Sequence, residues 1–370
     1  MNVYIPLGII LAFFCFFARE DKKLVNSVFI VSFLAMLVFL TLRYQFGPDY
    51  ISYLTTFESI QGEDVSLYTG VGASSERGFL YYLSLFPYFT LFIFVNAVFW
   101  LFANYNVLHK YVNATEYWIV VLYIFFNNTY LKLSTVAMRS TMVAFIFMFA
   151  FMFLMRERKI DRIIYVALIL LAGQFHTTGL ALIPFVFINS KNTSILFNKI
   201  FIGVIALIGF VSFFAGNNVI LQYVSEYVMD NIEAFDRYAD DDVSIGVVSF
   251  SLNTFIFYLM SVFVAFWLAW AGRQETNKEF VYIYKVAIIA AIVQILFRQS
   301  MISDRYFMCF NPFYITALVH SLYKGRKQMG IVALMFVAVI SLYIFTSKMN
   351  KSYARHFETY HTIFEAPQIP

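Results

Sequence analysis

Apolar residues fall along this chain in long blocks separated by short polar stretches, with little of the alternation that marks half-buried strands. Blocks lie near residues 2–18, 24–42, 79–108, 117–133, 138–155, 161–175, 178–190, 199–216, 247–271, 280–297, 306–322 and 329–347. A helix crossing hydrocarbon needs about 17–25 apolar residues, so the pattern predicts about twelve membrane-spanning helices. The block at 79–108 is too long for one straight span and contains Pro87. It predicts a short broken or re-entrant piece followed by a full span. The blocks at 161–175 and 178–190 are short and meet at His176, which predicts a tight hairpin. After the second block, Gly47-Pro48-Asp49 is a turn and helix-start signal. Ile51, Leu54, Phe57 and Ile60 follow, which predicts an amphipathic helix lying in the membrane interface.

Composition agrees with this pattern. Of 370 residues, 61% are hydrophobic and 13% charged, against about 25% charged in soluble domains. The mean hydropathy of +0.73 is too high for one soluble core of this size. The expectation is a single all-α integral membrane domain over residues 1–370, with larger polar loops at 43–77 and 217–246 and no soluble domain. Phe (46) and Tyr (26) suit lipid contact and interfacial belts. Cys15 and Cys309 both sit in apolar blocks, so neither a disulfide framework nor a metal site is expected. The first block lacks a basic leader and a cleavage site, and reads as a span instead of a signal peptide.

Charge orients the spans. The loops 19–23, 109–116, 156–162, 189–199, 272–279 and 324–328 hold 15 Lys/Arg and 7 Asp/Glu, a net of +8. The alternate set, 43–77, 131–139, 176–178, 217–246, 298–305 and 348–370, holds 10 and 15, a net of −5. The positive-inside rule makes the first set cytoplasmic and turns both termini outward.

Against that background Arg43, Arg139, Arg298 and Arg305 stand out, because each lies on the outer side at or near a helix mouth. Charge near membrane depth is costly unless it is partnered or functional. Guanidinium groups grip phosphate oxygens bidentately, so four on one face suggest an oxyanion site; pairing with nearby carboxylates is the plainer alternative. Asp49 reads either as a helix N-cap or as a carboxylate that orients an arginine or binds a sugar hydroxyl. Glu76 reads as a charged helix start or as a carboxylate at the rim of the site. His176, at the outer turn of the hairpin, is either a hydrogen-bonded turn residue or a general base for an alcohol nucleophile. The run Asp240-Asp241-Asp242 reads most simply as a solvated loop, with a cation site as the lesser alternative.

Four ordered motifs carry a family resemblance. They are Arg43-x-x-x-Gly47-x-Asp49-Tyr50-x-x-Tyr53, Ser134-x-x-x-x-Arg139, His176-x-Thr178-Gly179 and Arg305-Tyr306. Together they resemble the EpsG-like group of Wzy-type polysaccharide (O-antigen) polymerases. Two departures are Arg77 where the family pattern has proline, and Ser140 where it has glutamine after the arginine. The resemblance implies a GT-C-like helical fold in the bacterial inner membrane, with neither metal nor cofactor. It implies a glycosyltransferase joining undecaprenyl-diphosphate-linked repeat units on the periplasmic face, with the lipid diphosphate as leaving group. By analogy Arg139, Arg298 and Arg305 bind the diphosphate and His176 is the base, with Asp49 and Glu76 as further catalytic carboxylates. Arg43, Tyr50 and Tyr53 then position the sugars. Expected partners are the lipid-linked glycan, membrane lipid, a chain-length regulator and a flippase, with no nucleic acid. The competing readings are a flippase or transporter of lipid-linked oligosaccharide, and a membrane O-acyltransferase. The one-sided clustering of charges, without an internal repeat, disfavours a transporter.

Overall fold

A computed structural model describes residues 4–47, 49–62, 65, 76–127, 130, 134–191, 193–214, 252–297, 301–324 and 361–364. The fold is mostly helical. Its helices are α1 (Tyr4–Phe17), α2 (Lys22–Thr41), α3 (Tyr50–Ile60), α4 (Arg77–Ser84), α5 (Phe89–Tyr111), α6 (Tyr117–Phe126) and α7 (Ser134–Val136). They continue with α8 (Met138–Leu154), α9 (Lys159–Phe175), α10 (Lys199–Phe214), α11 (Leu252–Arg273), α12 (Lys278–Phe297) and α13 (Met301–Lys324). A 3-10 helix, Thr177–Phe187, follows α9. Two short strands, β1 (Arg43–Tyr44) and β2 (His361–Thr362), pair antiparallel.

Among the described residues, four helical stretches are long and apolar enough to cross a membrane: Lys22–Thr41, Phe89–Tyr111, Phe255–Arg273 and Lys278–Phe297. Shorter apolar helices lie beside them in sequence, including α1, α8 and Lys199–Ser212 of α10. The outer faces are themselves apolar: Phe17 is 65% exposed, Leu207 63% and Ile200 77%. Such a surface is stable in hydrocarbon and not in water. This is a membrane protein.

The chain forms two compact units. The first comprises Met1–Ala150, Val166–Ile183 and Gln328–Pro370. In it α1 packs on α2 and α6, and α2 on α5. Aromatic contacts hold these helices: Phe29 stacks on Tyr117 at 3.9 Å between ring centroids, and Tyr4 packs on Phe125 at 4.9 Å. Asp21 starts α2 by accepting from the N–H groups of Lys23 and Leu24 at 2.9 and 3.1 Å, the expected use of an N-cap carboxylate.

The second unit comprises Phe151–Tyr165 and Pro184–Lys327. Its centre is α12, which packs against α10, α11 and α13. Glu157, in the left-handed region at φ 58°, turns the chain after α8. Its carboxylate accepts from the Ser190 N–H at 3.0 Å and the Tyr282 hydroxyl at 3.2 Å, and pairs with Lys278 at 3.5 Å. Lys285, buried on α12, donates to the Asn189 carbonyl at 2.6 Å. Loops that the charge distribution places on one side, 156–162, 189–199 and 272–279, thus meet within one unit.

Several sequence expectations change. The break at Pro87 falls where expected, separating α4 from α5. The helix expected over 117–133 ends at Phe126, with Asn127 at its C-cap. The block at 178–190 is a 3-10 helix containing Pro184; proline has no N–H and clashes with the carbonyl an α-helix places four residues back. The buried face of α3 is Tyr50, Tyr53, Phe57 and Ile60, while Ile51 is 49% exposed. Uniform steps of three drift by roughly 60° each around a helix, whereas spacings of three and four hold one face. Arg298, the loop 217–246 and the block at 329–347 lie outside the described residues.

The strand pair was not foreseen. It returns the C-terminal stretch to Arg43, in register Arg43↔Thr362 and Tyr44↔His361, with the Ile363 N–H donating to the Leu42 carbonyl at 2.9 Å. Replacing Ile363 by proline removes that donor, worth about 0.5–1.5 kcal/mol. Hydrogen–deuterium exchange should then speed up in peptides covering residues 42–46 by about 2- to 10-fold. Unchanged exchange would mean that the pairing contributes nothing to order at Arg43.

Candidate active site

Four short segments of the first unit build the site. The α3–α4 loop ends at Glu76, α8 opens with Met138-Arg139, α9 runs to Phe175, and His176 joins α9 to the 3-10 helix. Glu76 occupies the N-cap position of α4, yet its side chain makes no cap hydrogen bond. It turns instead to three groups outside its own helix. One carboxylate oxygen accepts from His176 Nδ1 at 2.5 Å and from the Thr177 N–H at 3.4 Å. The other accepts from the Arg139 guanidinium. Glu76 therefore closes the open N-terminus of the 3-10 helix from across the bundle, satisfying an N–H that the helix cannot satisfy itself.

A glycine makes this approach possible. A Cβ on Gly78 would stand 2.6 Å from Gln174 Cβ and 3.0 Å from the Gln174 carbonyl. The first turn of α4 lies directly on the last turn of α9, two residues before His176, and only hydrogen fits between them. On the far side of the histidine, the Gly179 N–H donates to the His176 carbonyl at 2.9 Å and tightens the turn.

Glu76 and His176 are 4% and 2% exposed, whereas the Arg139 side chain keeps 20% of its surface. The dyad is dry and the arginine is its open edge. Arg139 lies between aromatic rings, 5.9 Å from the Tyr53 centroid and 6.0 Å from that of Phe79, distances at which ring faces attract cations. Burial alone would raise the Glu76 pKa. The His176 hydrogen bond and charge, the Arg139 charge and the Thr177 N–H outweigh it and bring the carboxyl down to about 2. Because the pKa is depressed on folding, the stabilisation is fully present above the ordinary carboxylate range and fades only as pH falls toward about 2.

With Glu76 ionised, His176 donates from Nδ1, and basicity resides at Nε2. A buried carboxylate behind an imidazole fixes its tautomer and stabilises the imidazolium formed when it takes a proton. The arrangement can perform general base chemistry on a hydroxyl, next to a guanidinium that can meet an anion.

The other expected residues are placed as follows. Arg43 is 2% exposed and its guanidinium contacts Met138 Sδ at 3.3 Å, so it supports the turn that carries Arg139. Tyr50 packs on Phe89 at 5.4 Å; burial raises its phenol pKa, and the Arg43 charge opposes the rise. Asp49 stands at the N-cap position of α3 without a side-chain cap hydrogen bond, which argues against the plain capping reading. Arg305 is half-buried in α13, within the second unit. Sequence reasoning named Glu76, His176 and Arg139 but missed their mutual contact and the role of Gly78. It also missed Asn96, a buried amide in the apolar α5 that donates to Thr141 Oγ1 at 2.8 Å. An amide in the middle of an apolar span was the available signal.

Comparison with known proteins now bears on this site. The family model described as the EpsG family matches residues 4–361, nearly the whole length. The chain belongs to the EpsG family. No curated protein and no solved structure matches it. EpsG membership suggests a Wzy-like polysaccharide polymerase in general, a glycosyltransferase-like activity on lipid-linked glycan substrates. The matched span contains every member of the Glu76–His176–Arg139 cluster.

Substituting Gly78 by alanine should push α4 away from α9 and separate Glu76 from His176. Polymer formation should fall at least tenfold while the protein still reaches the membrane. Full activity in Gly78→Ala would show that the close approach is unnecessary.

Proposed function

We propose that this EpsG-family protein polymerises polysaccharide from undecaprenyl-diphosphate-linked repeat units, with His176 as general base. The supporting observation is the buried carboxylate of Glu76, held between His176 Nδ1 and Arg139. A hydroxyl of the acceptor sugar loses its proton to His176 Nε2 as its oxygen attacks the anomeric carbon of the donor. The carbon–oxygen bond to the lipid diphosphate breaks, and that group leaves with the bonding electrons. Glu76 holds the imidazole in the required tautomer. Arg139, the exposed member, meets the diphosphate charge as it develops. A flippase forms no covalent bond and has no use for a buried base pair of this kind.

In this reading the chain is a multi-pass protein of the bacterial inner membrane, with about twelve spans in a GT-C-like arrangement and the site facing outward. Arg43, Asp49, Tyr50 and Tyr53 position sugars. Neither metal nor cofactor takes part in the scheme. Working partners are a flippase that supplies units and a regulator of chain length.

Lipid-linked glycans separated by size give the test. Purified His176→Ala should form polymer about 10²–10⁴-fold more slowly, the usual contribution of a general base, and single repeat units should accumulate in cells. Near-normal ladders would end the base assignment. The pH dependence adds a signed check. Glu76 stays ionised across the working range, so the acid limb of the rate reports His176. Removing the anion with Glu76→Gln should move that limb to lower pH. Removing the cation with Arg139→Ala should move it to higher pH. Shifts in the same direction would contradict the arrangement.

A further inference from the structure

Behind the arginine-bearing turn lies a small cavity of about 10 Å³, close to the roughly 10–15 Å³ that one water molecule needs. Its polar lining comes from Arg43, Asn96, Trp100, Ser134 and Thr141. Trp100 is fully buried and Asn96 is 3% exposed. Two of their atoms have no hydrogen-bond partner: the indole Nε1–H, a donor, and Asn96 Oδ1, an acceptor. Leaving a buried polar group unsatisfied is costly, so two such groups on residues lining one cavity mark a built site.

The chemistry of the lining selects the occupant. A cation would meet the indole N–H and the Arg43 charge, and an anion would meet the Asn96 carbonyl oxygen. A single water suits both, accepting from Trp100 and donating to Asn96. We propose that this cavity holds one structural water, and that Asn96, fixed by it, is a positioning residue for Arg139. Asn96 Nδ2 donates to Thr141 Oγ1 at 2.8 Å, and Thr141 Oγ1 donates to the Met138 carbonyl at 2.7 Å. Arg43 closes the other side through Met138 Sδ. Met138 immediately precedes Arg139, so the hydrated amide fixes the turn from which Arg139 reaches Glu76. The positioning half of the inference rests on the proposed function; the water does not.

Radiolytic footprinting of the full chain in lipid nanodiscs, with rapid mixing into ¹⁸O-labelled water, tests the hydration site. Trp100 should be oxidised despite its burial, and should take up ¹⁸O more slowly than the exposed residues. An unmodified Trp100, at a dose that labels the surface, would overturn the water. For positioning, Asn96→Leu should slow polymer formation about tenfold and move the acid limb to higher pH. A displaced Arg139 withdraws its positive charge from the Glu76–His176 pair, the charged groups that face it, and raises the pKa of either. A loss that is uniform with pH, or no loss, would overturn the positioning role. Should Asn96→Leu fail to accumulate, Thr141→Val breaks the same link at nearly constant volume and faces the same criteria. If His176→Ala stops polymer while Asn96→Leu does nothing, this inference alone fails. If neither variant alters polymer, the base assignment fails as well.

Discussion

A carboxylate withdrawn from water must be matched by donors and positive charge, and the site in the first unit is organised around that requirement at Glu76. Three groups answer it: an arginine from the start of α8, a histidine from the end of α9 and a backbone N–H from the 3-10 helix. Removing one partner from such a buried set costs on the order of 3–5 kcal/mol. The requirement therefore fixes where three segments meet as well as what they can do. Gly78 is a consequence of it, because α4 must touch α9 for the carboxylate to reach the imidazole.

The same geometry divides the labour between stability and chemistry. Glu76 and His176 are sealed from solvent, while Arg139 keeps a fifth of its side chain open between Tyr53 and Phe79. A sealed carboxylate holds one tautomer of the imidazole and stays ionised at any physiological pH. An open guanidinium can exchange part of its pairing for an incoming anion without unfolding the dyad behind it. The aromatic cluster of α3, α4 and α5 supplies the rigid wall for both. On α3 this required the tyrosine-bearing face to turn inward, at the expense of Ile51.

In the second unit, charge serves a different end. Glu157 and Lys285 are satisfied by backbone groups and by neighbours in adjoining loops, and they tie those loops to α12. A carboxylate meets an imidazole there too: Glu275 Oε2 lies 3.7 Å from His320 Nδ1, while Glu275 Oε1 accepts from the Thr276 and Asn277 N–H groups at 2.9 Å. Similar residue types thus clamp one set of loops and form a candidate reaction centre at another. The Glu76 cluster differs in its closer imidazole contact, at 2.5 Å, and in the arginine on its second carboxylate oxygen.

The sequence alone determined the solvent and the helical class, and it named the residues that could carry chemistry. Long apolar blocks can satisfy their backbone in lipid only as helices or closed barrels, and their length was legible residue by residue. The break at Pro87 and the candidacy of Glu76, His176 and Arg139 were legible for the same local reasons. The tertiary structure decided which of these meet. Glu76 and His176 are a hundred positions apart, and no local signal encodes a contact between them. Nor could the sequence show that β2 returns to Arg43, that Tyr50 and Tyr53 face inward, or that Asn96 and Trp100 share one cavity. Periodicity reports only which side of an element is apolar; partnership between distant polar groups is set by packing, and packing exists only once the chain has folded.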